Sequence, residues 1–144
     1  MAKSLLLGFC ATLGWASLSF SADAADLDVR ITDLRSDNGN VHIAIYDKPE
    51  SFPDGDGMID EVEVPVEDRN AGYTFSGLAA GEYAIAVYHD ENDNDDFDTN
   101  FIGLPLEGYA FSNGATVFLG PPSFAAARIT LPADGTTTEI RMTY

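Results

Sequence analysis

Gly77 to Gly103 reads GLAAGEYAIAVYHDENDNDDFDTNFIG, and it splits into an alternating apolar half and an acidic half. Tyr83, Ile85 and Val87 fall on one face of the first half, and Ala84, Ala86 and Tyr88 on the other. That two-residue period is the signature of a β-strand. Just ahead, Leu78 to Tyr83 has the L-x-x-G-x-Y spacing of a tyrosine corner, in which the phenol bonds back to the chain upstream. Such corners belong to Greek-key sandwiches. The stretch therefore predicts a β-sandwich and gives Tyr83 a structural role.

Upstream, Leu27 to Ile31 alternates in the same way, as do Val41, Ile43 and Ile45 with His42, Ala44 and Tyr46 opposite. The turn residues Ser36 to Asn40 lie between these strands, and Asn38-Gly39 tolerates the positive φ of a tight turn, so a hairpin is expected. Lys48 to Ile59 is a loop marked by Pro49, Pro53, Gly55 and Gly57. Within it, Asp54, Asp56 and Asp60 have a D-x-D-G-x-x-D spacing that outlines a second, weaker cation site, with a polar surface turn as the alternative. Val62, Val64 and Val66 alternate with acids, and Pro65 marks an edge strand or bulge.

Downstream, Leu104 to Phe124 is too rich in Gly and Pro for a helix. A closing hairpin is expected around Asp134-Gly135, from Ala127–Leu131 and Thr137–Tyr144. The fold class is all-β: a single antiparallel sandwich of about seven strands. The N-terminal stretch 1–24 reads as a signal peptide, with Lys3, an apolar Leu5–Ala16 and Ala22-Asp23-Ala24 as the cleavage site. The domain proper is then 25–144, exported to the periplasm or beyond, with no membrane insertion after leader removal. Cys10 leaves with the leader, and bulky Phe9 before it does not suit a lipoprotein anchor. The remaining chain holds no cysteine for a disulfide or a thiolate-bound metal. A net charge of −17 argues against nucleic acid and anionic membranes, which call for Lys/Arg footprints.

The acidic half carries six carboxylates in the nine positions Asp90 to Asp98. Charges packed so closely repel unless water or a cation screens them. Numbered from Asp90, side-chain oxygens fall at the alternate positions that calcium loops use: Asp90, Asn92, Asn94 and Asp98, with Asp96 offering its carbonyl. Phe97 is placed to pin the loop to the core. An EF-hand is excluded, because Asp95 stands where that loop has Gly and Phe101 where it has a bidentate Glu. A calcium site here would be weak, roughly 10⁻⁴ to 10⁻³ M; a merely solvated loop is the alternative. The loop is similar to the calcium loops in B-type repeats of Gram-positive surface proteins, where D-x-N-x-D-x-x-x-D follows a sandwich strand.

HDENDNDDFDTNFIGLP, EGYAFSN and GPPSF occur in that order after the strand GEYAIAVYH. Together they resemble a bacterial family called domain of unknown function 2141. The resemblance implies a signal-bearing envelope protein with an immunoglobulin-like or prealbumin-like sandwich, and it implies no activity. By position, Asp90, Glu91, Asn92, Asn94, Asp98, Asn100, Glu107, Gly108, Tyr109, Phe111, Ser112 and Asn113 carry the family motif.

No catalytic constellation stands out. Ser112 and Ser123 lack a G-x-S-x-G context, and His42 and His89, the only histidines, form no H-E-x-x-H motif. Carboxylate pairs are too abundant to single one out. The expectation is a non-catalytic binding module for a protein or glycan, with Glu107, Tyr109, Phe111 and Asn113 as candidate ligand-binding residues. The alternative is a structural or interaction protein of the envelope with no bound metal.

Overall fold

β5 (Gly81–Asp90) is the strand on which the second sheet is assembled. A computed structural model describes residues 24–144; the expected leader lies outside the described residues, except for Ala24, where β1 begins. The remaining strands are β1 (Ala24–Thr32), β2 (Asn40–Tyr46), β3 (Asp60–Pro65), β4 (Ala71–Ala79), β6 (Gly108–Phe111), β7 (Ile129–Leu131) and β8 (Thr136–Arg141). One helical turn, α1 (Phe124–Ala127), is capped by the Ser123 side chain, which accepts the Ala126 N–H. Among the described residues eight strands thus form where about seven are expected.

They make two sheets, β4-β1-β8 and β3-β2-β5-β6, with β7 pairing the start of β5. Every pairing is antiparallel except β1 with β8, which is parallel. The architecture is the expected β-sandwich. Its core lies between the sheets, where Leu27, Val29 and Ile31 of β1 meet Val41, Ile43, Ile45, Ile85 and Val87 of the second sheet. The alternation in the sequence dictates this, because only one side of each pleat can face the opposite sheet. Tyr83 closes the tyrosine corner, its hydroxyl donating to the Ala79 carbonyl at 2.8 Å. β3 is an edge strand that ends on Pro65, where a missing N–H costs the ladder nothing.

Two expected hairpins do not form. β1 and β2 belong to different sheets, and the segment between them passes from one sheet to the other with Leu34 buried. Likewise Gly135 turns the chain, its N–H donating to Pro132, but β7 pairs with β5 and β8 with β1. Turn chemistry fixes where a chain reverses; the sheet each arm joins is set by core contacts remote in sequence.

The outer face of the second sheet is covered in part. Tyr46, Phe52, Ala84, Phe124 and Ala127 form a smaller cluster there, against which Ala44, Ala86 and Phe111 pack. This face positions the candidate site.

Candidate functional site

β5 runs directly into the acidic loop. Its last residue, Asp90, is paired with Asn40 of β2 and is fully buried. Close approach there requires Gly39: a Cβ on it would lie 1.8 Å from the Asp90 carbonyl oxygen, and its φ is +63°. The Asp90 carboxylate accepts the Asn94 N–H on Oδ1 (3.1 Å) and the Asp95 N–H on Oδ2 (2.8 Å). Burial pushes its pKa up, but backbone N–H groups of Asp95, Asn94 and Asp93 prevail and hold it below the ordinary carboxylate value. The tight turn puts Asp93 and Asp95 in the left-handed region, at φ 60° and 62°. Asp95 therefore takes the conformation that Gly supplies in related loops, which Asp tolerates.

Glu107 straps the loop shut. Its buried carboxylate accepts the Glu91 N–H on Oε1 and the Asp98 N–H on Oε2, each at 3.1 Å. Glu91 in turn meets Arg35, whose Nε donates at 2.7 Å, and the Ser36 hydroxyl at 2.6 Å. The Arg35 guanidinium is the main reason its pKa falls below the usual value, against an opposing push from burial. Asn100 Oδ1 accepts the N–H groups of Ile102 and Leu104, both at 3.0 Å.

Among the expected calcium ligands, Asn92 and Asn94 both donate to Asp98 Oδ2, at 2.7 and 3.3 Å. Asn94 Oδ1 accepts the Asp96 N–H. Asp90, Asp96 and Asp98 do not bring their carboxylates together. Asp54, Asp56 and Asp60 are all exposed and likewise do not converge. Among the described residues, the acid and imidazole groups that gather as a trio are His42, Asp90 and Asp95, with one ligand atom from each within 4.8 Å of the others.

Of the four candidate ligand-binding residues, Tyr109 and Phe111 line a cleft of about 730 Å³ on the outer face of the second sheet. Glu107 serves the loop instead, and Asn113 bonds to the Ala126 carbonyl at 2.9 Å. The cleft floor is Ala44, Ala86 and Tyr88, with His42 at its acidic side. Phe97 does not enter the core as expected. It is 41% exposed and leans on Tyr88 and Tyr109 (ring centroids 5.6 and 6.2 Å), so it pins the loop to the cleft wall. Leu104, Val117 and Leu119 overhang the opening, all three exposed.

His42, Ala44, Ala86 and Tyr88 were not among the sequence candidates. Their signal was the outward alternation itself, alanines flanked by rings, which leaves room above a sheet. The other histidine, His89, is buried and fully engaged: Nε2 is 2.7 Å from the Asn38 carbonyl and Nδ1 is 2.7 Å from the Tyr144 hydroxyl. Ser112 is buried as well, its Oγ accepting the Ile85 N–H at 2.8 Å.

Among the described residues no helix is long and apolar enough to cross a membrane. Comparison with curated proteins and with solved structures finds no match. The sequence model of a family described as an uncharacterised protein conserved in bacteria matches residues 29–140, so the chain belongs to the bacterial family domain of unknown function 2141.

Proposed function

We propose that this protein is an exported, non-catalytic binding module of the bacterial envelope, and that it takes a small apolar or aromatic molecule in the outer-face cleft. One observation carries the reading: a cleft of about 730 Å³ floored by Ala44, Ala86 and Tyr88 and walled by Phe97, Tyr109 and Phe111. That volume lies in the range of small-molecule sites, roughly 300–1,000 Å³. A largely apolar lining suits an apolar ligand better than a glycan, whose hydroxyls each need a polar partner. The acidic loop serves this reading as a wall. The alternating Asp and Asn spacing of its sequence supports calcium as the ion that stiffens it, by drawing together side chains that otherwise hydrogen-bond to Asp98.

Nile red tests the proposal; being neutral, it is not repelled by the acidic surface. Binding should raise its emission in the parent protein, more in calcium than in chelator. Ala86→Trp, which fills the cleft floor, should abolish the signal while far-UV circular dichroism and the urea midpoint stay unchanged. Equal emission in Ala86→Trp would overturn the cleft as the site. A second reading, an interaction protein with a macromolecular partner, is favoured by Phe101, Phe118 and Leu119, which are almost entirely exposed near the cleft. A partner that still binds Ala86→Trp but not Leu119→Ser would support it.

A further inference from the structure

The His42 ring is 92% buried (8% exposed), and its Nε2 has no hydrogen-bond partner. Two carboxylate oxygens approach it, Asp90 Oδ2 at 3.8 Å and Asp95 Oδ1 at 4.0 Å. These separations are too long for hydrogen bonds. They are close to what one shared ion imposes: bonds of about 2.0–2.1 Å arranged tetrahedrally separate ligand atoms by about 3.4 Å. We propose that His42 Nε2, Asp90 and Asp95 form a binding site for a borderline divalent cation of the zinc class.

Three features of the fold favour it. First, Glu61 Oε1 lies 3.4 Å from Nδ1 on the far side of the ring. A carboxylate there can accept the Nδ1 proton once Nε2 binds an ion, the outer-shell arrangement usual for a metal-bound histidine. Second, the ring is fixed before any ion arrives, by stacking on Tyr88 at 4.4 Å between centroids and 11° between planes. Third, the register places the ligands: β2 and β5 pair His42 with Tyr88 and Asn40 with Asp90, so the imidazole sits beside the first residue of the loop. Asp95 comes over it because the Asp90 carboxylate holds the Asp95 N–H.

The donor set decides the cation. Calcium and magnesium take oxygen ligands, whereas an imidazole with two carboxylates suits zinc and its neighbours and leaves a coordination position for water. The inference stands whether or not the cleft takes an apolar ligand, because its ligand atoms belong to polar side chains and not to the apolar lining.

The test is ¹⁵N imidazole NMR of the metal-free protein titrated with zinc chloride, and in parallel with calcium chloride. The two histidines separate the outcomes. Zinc should shift the His42 Nε2 resonance to a one-to-one endpoint and leave His89 unmoved, since both His89 nitrogens are already bonded. Asp95→Asn, an exposed loop change that should leave the fold intact, should weaken zinc binding about tenfold or more. Glu61→Gln should weaken it by about tenfold. A His42 signal that zinc does not move, equal shifts of both histidines, or the same response to calcium would each overturn the proposal. So would unchanged zinc affinity in Asp95→Asn.

Discussion

β2 and β5 present two faces made from alternate residues of the same strands, and the two are built on different principles. Inward, Val41, Ile43, Ile45 and Ile85 are wholly buried against the first sheet. Outward, His42, Ala44, Ala86 and Tyr88 leave a cleft that loops from elsewhere in the chain enclose. A buried Ile contributes about 1.5–3 kcal/mol relative to an exposed one; an Ala contributes far less but keeps space open. One face holds the sandwich together and the other is free to hold something else.

The largest expected effect breaks the inner face. Ile43→Ala should destabilise the protein by about 2–5 kcal/mol, through lost burial and the cavity left behind. Urea unfolding measures it. The neighbouring outward change Ala44→Ser should stay within about 0.5 kcal/mol. If the two mutants fell equally, the outer face would be core too, and the distinction would fail.

An intermediate effect is expected where the outer face depends on polar groups. Glu107 holds the N–H groups of Glu91 and Asp98 with one carboxylate. Glu107→Gln keeps the shape but turns an NH₂ toward one of those donors and removes the charge from the other bond. The cost should be about 1–3 kcal/mol. Hydrogen exchange should accelerate at Glu91 and Asp98 before it does at Ile43 or Ile85, because a strap failure opens the loop and not the sandwich.

The inner face was legible in the sequence and the outer one was not. Alternation announces which residues of a strand are buried, so Val41, Ile43, Ile45, Ile85 and Val87 could be assigned from it, and Tyr83 could be placed by its corner spacing. The left-handed turn at Asp95 could be anticipated because Asp stands where Gly is usual. Sheet partnership could not be read: Ser36 to Asn40 has hairpin chemistry, yet β1 and β2 part there into separate sheets. The cleft is walled by residues as distant as His42 and Leu119, and no local pattern encodes that meeting. The same holds for the trio of His42, Asp90 and Asp95. Spacing along the acidic run pointed to oxygens alone, and only the β2–β5 register brings a nitrogen beside them.

The smallest effect concerns the rim of the loop, where Arg35 meets Glu91. The Glu91 side chain is 17% exposed and that of Arg35 49%, so solvent screens the pair and it should contribute no more than about 1 kcal/mol. Its sign with pH is fixed. The folded-state pKa of Glu91 is lowered, so the unfolded chain takes up the proton first. The contribution is therefore complete above about pH 4.5, the ordinary glutamate range, and is lost as pH falls through the lowered folded value. Absolute stability is a poor readout, because acid also relieves repulsion across a chain of net charge −17. The difference between parent and Glu91→Gln removes that background. It should be largest at pH 6 and shrink steadily below about pH 4. A difference that grew on acidification would mean that Glu91 is destabilised by its acidic neighbours instead of held by Arg35. The outer loop would then rest on the Glu107 strap, the Asp90 turn and the Phe97 anchor, with no help from Arg35.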